Sequence, residues 1–318
     1  MAKATHTLRR SAHAFFRSYQ AFTTMSALVL PFSVVVLLSQ SFIPSSPLLR
    51  TISVRIHSLF EAAGFPAASQ FFSLLNHKLS QSTFSFLFCL PITLTFFLFA
   101  KASIIQTMLE YPNRRIGIPS FNSLVRLYRL ILPTHIFNSF VIVSANAAVF
   151  SLLFMAFNAL DIFRLSSDSY ILGLSAASAV IYSIVLANTT VACSLATVVS
   201  ATENCRGYLP ILKACVLIQG KEATAITVAL PASLGMAAIE ALFQYRIARP
   251  YLNLGRFSMP AFGEAFLIAY LYSLLIVLDT IISCILYQSL KNGDRWTLED
   301  GDDLSLGLKK EQKGYLEV

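Results

Sequence analysis

Six long apolar runs, separated by short polar and basic segments, set the pattern of the chain. The runs cover residues 22–43, 83–100, 136–160, 170–201, 223–243 and 262–290. The first four carry no charge; the fifth holds Glu240, and the sixth holds Glu264 near its start and Asp279 inside. An apolar stretch of about 20 residues, at 1.5 Å per residue, matches the hydrocarbon thickness of a bilayer. The pattern predicts an all-α polytopic membrane protein with six transmembrane helices in three hairpins. It places one six-helix membrane domain over residues 1–290 and a disordered cytosolic tail over 291–318.

The segments between the runs predict the orientation. The N-terminal, second, fourth and C-terminal segments hold seventeen Lys and Arg (four, five, three and five); the other three hold seven (three, one and three). Cytosolic loops carry the excess of Lys and Arg. Both termini are therefore expected in the cytosol. No Asp or Glu occurs before Glu61. Such an N-terminus reads first as a cytosolic basic flank, with the protein in an endomembrane or the plasma membrane; the alternative is an organellar transit peptide and a plastid or mitochondrial membrane.

Three odd-numbered runs follow a segment of a second kind. Leu8, Ala12, Phe15, Phe16 and Tyr19 share a helical face, with Arg9, Arg10 and Arg17 off it. Phe121, Leu124, Val125, Tyr128, Ile131 and Leu132 repeat the pattern beside Arg126 and Arg129, and Tyr208, Ile211, Leu212, Cys215 and Ile218 repeat it beside Arg206 and Lys213. Each predicts a basic amphipathic interface helix ahead of its hairpin, with the basic residues contacting anionic lipid headgroups. The first and third units also align at an offset of 200: Thr24, Leu30, Pro31 and Ser33 match Thr224, Leu230, Pro231 and Ser233. Prolines at equal depth suggest an internal repeat with helices that free a backbone carbonyl.

Composition agrees with a bilayer as the solvent. Hydrophobic residues make up 56% of the chain and charged residues 13%, about half the share usual in soluble domains. The net charge of +8 sits between apolar runs, where lipid accounts for it, so nucleic acid is not expected as a partner. The five cysteines form no CxxC pair, the five histidines have no metal-ligand spacing, and no Gly-rich phosphate loop or GxSxG occurs. An enzyme is not expected, and neither is a cofactor.

The candidate chemistry is intramembrane. Asp279 is an ionisable group inside a span and should face the bundle interior, as an ion or proton site or as a structural polar contact. If it is structural, Asp279→Asn should leave folding intact. Glu240 and Glu264 flank the fifth loop beside Arg246, Arg249 and Arg256, and should be hydrated. Asn146, Asn158 and Asn188 read as interhelical hydrogen-bonding groups.

The stretch Val198, Val199, Glu203, Gly207, Leu212, Lys213, Gly220 and Lys221 runs from the fourth span through a Glu and a Gly into a basic helix ending in Gly-Lys. With the layout of interface helices and hairpins, it resembles the membrane domain found with some bacterial glycerophosphodiester phosphodiesterases, and a plant family of uncharacterised multi-pass membrane proteins related to it. In the bacterial proteins the hydrolytic chemistry belongs to a separate soluble domain, so the resemblance implies no hydrolase activity here. Two functions are expected from these readings. One is a non-enzymatic membrane protein that organises lipids or other membrane proteins; the other is a secondary transporter or channel for a small solute or ion.

Overall fold

A computed structural model describes residues 2–42, 47–62, 76, 80, 90–110, 121–162, 168–250 and 259–314. Among them the chain is almost entirely helical, with no strand. In order it forms α1 (Ala2–Arg17), α2 (Tyr19–Phe42), α3 (Pro47–Ala62), a π-helical turn Thr93–Phe97 leading into α4 (Leu98–Glu110), and α5 (Phe121–Ile162). Then come α6 (Asp168–Glu203), α7 (Leu209–Ile218), α8 (Glu222–Phe243) with a second π-helical turn Gln244–Ala248, and α9 (Met259–Gly314).

Six stretches are long and apolar enough to cross a membrane: Tyr19–Ser39, Leu90–Leu109, Asn122–Leu153, Ala176–Glu203, Glu222–Ala248 and Ala261–Lys291. They match the six apolar runs, with one shift that matters. The second run was expected over 83–100 with Lys101 at its end. A continuation toward Met108 was also expected, and the helix carries on to Glu110, with Ile104, Ile105 and Met108 buried along it and Lys101 inside the span. Residues 83–89 of the expected run lie outside the described residues. The fourth and sixth spans bury half of their most apolar 18-residue stretch, whereas the third buries 11% and the fifth 17%. The former pair are the more covered helices; the latter two leave most side chains uncovered.

The chain divides into two compact units. One comprises 1–13, 129–230 and 281–318; the other comprises 14–128 and 231–280. In the first, α5 and α6 are joined by a seam of polar contacts. Thr134 Oγ1 donates to Ser200 Oγ at 3.0 Å, Asn138 Nδ2 to the Cys193 carbonyl at 2.9 Å, and Tyr182 Oη to Asn146 Oδ1 at 3.1 Å. The partners run in opposite directions along the two helices, so α5 and α6 are antiparallel. In a bilayer such pairs hold helices together where water cannot substitute. In the second unit, α2 packs on α4, with Phe32 stacked on Phe97 at 4.5 Å, and Tyr128 Oη donates at 2.9 Å to the Leu94 carbonyl within the first π-helical turn.

The expected interface helices are only partly separate. Only Ser18 separates α1 from α2, and backbone bonds from Ser18 N–H to Ala14 and from Phe22 N–H to Ser18 carry the helical pattern across it. The segment 121–132 is instead the opening of α5, which continues through Pro133 as one helix. Pro133 removes only the bond to the Arg129 carbonyl. The adjacent Leu130 carbonyl accepts from Ser200 of α6 at 3.0 Å, so the helix keeps polar partners where the proline weakens it. The tail expected to be disordered continues α9 as helix to Gly314. Extending an existing helix avoids the nucleation cost that an isolated segment of that length would meet.

Candidate functional site

The densest polar cluster forms where α6 ends. Glu203 is its last residue, and the chain then reverses within five residues. Asn204 and Gly207 take positive φ of 52° and 74°, a left-handed backbone that Asn and Gly adopt most readily. Ser200 Oγ lies 2.8 Å from the Cys205 carbonyl and ties the turn down. The reversal lays α7 against α6, burying Pro210, Ile211, Ala214 and Ile218.

This packing brings Lys213 back onto Glu203, Nζ to Oε2 at 2.8 Å. The other carboxylate oxygen accepts from Tyr287 Oη at 2.8 Å and lies 3.3 Å from Lys291 Nζ. Lys291 Nζ also donates to Tyr287 Oη at 3.0 Å, and Lys213 Nζ stands 3.5 Å from Cys205 Sγ. Tyr287 and Lys291 are one turn apart on α9, so i and i+4 face the same carboxylate. The Glu203 side chain is 28% exposed and those of Lys213 and Lys291 are 51% and 58% exposed, so the anion is inside and the cations open outward. The hydrogen bond to Glu203 holds the Lys213 ammonium above its ordinary pKa. Beside the cluster runs a groove of about 330 Å³ whose apolar walls are Val199, Leu212, Val216 and Leu217.

The residues singled out by the sequence fall in several places. Asp279 sits in α9 among buried Val277 and Thr280, and Lys101 of the second span is near enough for its charge to act on the carboxyl. Lys101 also lies over the Phe97 ring, 4.6 Å from its centroid. Glu240 accepts from Tyr272 Oη at 2.8 Å and is half-buried, less hydrated than expected. Glu264 is exposed and pairs with Arg246 at 3.0 Å, as their places across the fifth loop suggested. Asn146 lies in the α5–α6 seam, Asn188 is half-buried on α6, and Asn158 has no described side chain. Arg9, Arg10, Arg17, Arg126, Arg129 and Arg206 are all exposed.

Sequence reading missed Asn138 of the seam and the roles of Tyr287 and Lys291. Asn138 is one polar side chain among many in a long apolar helix, and nothing in its spacing marks it. Tyr287 and Lys291 lie far along the chain from Glu203. The one available signal was an acid at the end of a span facing a basic segment. Among the described residues, no three His, Cys, Asp or Glu side chains gather as a metal site would need.

Residues 4–295, most of the chain, match the model of a family described as "Domain of unknown function (DUF8558)". The chain belongs to the DUF8558 family. No curated protein and no solved structure matches it. The matched region takes in all six spans and ends just beyond Lys291, so this DUF8558 protein's Glu203 cluster lies wholly inside it.

Proposed function

We propose that this DUF8558 protein is a non-enzymatic multi-pass membrane protein, both termini cytosolic, that organises anionic lipid around its cytosolic ends. The observation that carries this reading is the exposure of apolar and basic groups side by side. On α1, Phe16 and Tyr19 are 72% and 52% exposed, with Arg9, Arg10 and Arg17 exposed beside them. The side of α1 that the protein covers is a different one, made by Thr7, Ser11 and Ala14. The predicted apolar stripe is thus left for another solvent, and lipid with anionic headgroups fits both halves of it. The opening of α5 adds exposed Arg126 and Arg129.

Two further points support the reading. Lys213 and Lys291 belong to two segments that the charge count assigns to the cytosol, and they converge on one carboxylate. A cavity of about 270 Å³ in the second unit is walled by Leu37, Phe243, Phe266 and other apolar residues, a lining suited to an acyl chain and not to a polar solute. The transport reading draws on Lys101 and Asp279 within spans. Ionisable groups inside spans also serve as structural polar contacts, so the lipid reading is preferred.

The test is reconstitution of the full chain in nanodiscs of phosphatidylcholine with and without anionic phosphatidylglycerol. Anionic lipid should raise Tm and be enriched among lipids that copurify. Neutralising Arg9, Arg10, Arg17, Arg126 and Arg129 to Gln should remove most of both effects. Equal Tm and no enrichment for the unaltered chain would overturn the proposal.

A further inference from the structure

The geometry points to a binding site for one phospholipid at the Glu203 cluster, its phosphate held by Lys213 and Lys291 and an acyl chain lying in the adjoining groove. This deepens the lipid reading above and rests on it: the arginine-flanked faces would gather anionic lipid loosely, whereas this groove would hold one molecule.

The donor count supports the headgroup end. An ammonium has three N–H donors. Lys213 directs two toward Glu203 and Cys205, and Lys291 directs two toward Glu203 and Tyr287, which leaves one on each. One carboxylate against two ammonium groups gives the cluster a net charge of +1. Glu203 therefore does not satisfy the cations; it positions them. A phosphodiester carries a single negative charge and several acceptor oxygens, and it can bridge two lysines in a charge-assisted contact. The exposures place both ammonium groups outside the carboxylate, toward an incoming anion.

The groove supports the other end. A soluble phosphate would need only the polar corner. Here the walls beside the lysines are Val199, Leu212, Val216 and Leu217, and Leu212 and Val216 are 56% and 71% exposed. Exposed aliphatic side chains next to an anion site match an amphiphile: charge at one end, hydrocarbon at the other. The helix α7 is suited to this, since ten residues are too few to cross a membrane and only Lys213 among them is charged. An amphipathic helix with a basic side was expected there. It is instead apolar nearly all round, with one face on α6 and another uncovered.

Native mass spectrometry of the full chain, released from nanodiscs of phosphatidylcholine and phosphatidylglycerol, tests the site. The unaltered chain should retain one phospholipid under activation that strips the rest. Lys213→Gln with Lys291→Gln should weaken retention at least tenfold, while Arg249→Gln, at an exposed arginine away from this cluster, should not. Val216→Trp fills the groove without touching the cations and should also expel the lipid, which covers the case of a misfolded lysine variant. Millimolar inorganic phosphate should not compete; if it displaces the lipid, the site is an anion site and the proposal falls. Retention unchanged in both the lysine variant and Val216→Trp would also overturn it. Should anionic lipid still raise Tm while no single molecule is retained, this site fails and the general lipid reading stands. No response to anionic lipid at all would defeat the general reading instead.

Discussion

At the scale of residues, intramembrane charge is where structure changes the expectation most. Seen in the sequence, Asp279 is an isolated carboxyl, and Asp279→Asn would be silent if its role is structural. The structure adds Lys101, placed inside the second span and acting on the same carboxyl. The charge of Lys101 acts on the Asp279 carboxyl within the spans, so removing either group leaves the other with less compensation. Asp279→Leu and Lys101→Met should each lower thermal stability in detergent markedly. The double variant should recover most of the loss, because two apolar side chains replace the pair. A double variant as unstable as the sum of the singles would show that the two groups do not act on each other. Lys101 was hidden from the sequence for a simple reason: a lysine after a long apolar run looks like the end of a span, and only the continuation of the helix shows otherwise.

At the scale of elements, the turn between α6 and α7 is the decisive piece. It reverses the chain in the few residues between Glu203 and Leu209 and so determines whether Lys213 can reach Glu203. Gly207 holds φ near +74°, while a side chain at that position would come no closer than 3.5 Å to the Phe137 ring. Backbone conformation and not space is the constraint, and an L-residue there costs about 1–2 kcal/mol. Gly207→Ala should lower Tm and change the rate at which a maleimide labels Cys205, since Lys213 would no longer lie against its sulfur. Unchanged Tm and labelling would mean that the turn tolerates the side chain and does not set the position of α7. Two other elements show how a stripe of apolar residues can mislead. On α1 the stripe is real but faces away from the protein, which covers Thr7, Ser11 and Ala14 instead. At the opening of α5 the stripe is largely inward, with Leu124 and Ile131 buried, and Leu127 and Leu130 join them. Periodicity marks the face that avoids water. It does not say whether lipid or protein covers that face.

At the scale of the whole molecule, an even number of candidate spans and the distribution of Lys and Arg predict both termini on the cytosolic side. With the span bounds of the structure, Lys101, Arg126, Arg129 and Lys291 leave the basic-rich total and Arg246 leaves the other, so the count becomes thirteen against six and the bias persists. Neighbouring spans meet at their ends: Arg246 meets Glu264 across the fifth loop, and Ser200 near the end of the fourth span meets Thr134 of the third. Protease added to sealed vesicles of known orientation should remove tags from both ends from the cytosolic side. Access to either tag from the opposite side would overturn the count of six.

By itself the sequence determined the class of the molecule, the number of apolar helices and, through its charge pattern, an expected orientation. Those properties follow from transfer of side chains and backbone between water and hydrocarbon, and such transfer depends on local composition over about 20 residues. The tertiary structure decided everything that depends on which residues meet. It joined Glu203 to Tyr287 and Lys291, more than eighty residues away, and it set Lys101 near Asp279. It also selected Asn138 from the many small polar residues to bond with α6. Hydrogen bonds and ion pairs depend on positions to within an ångström, and helix packing, not sequence spacing, supplies those positions.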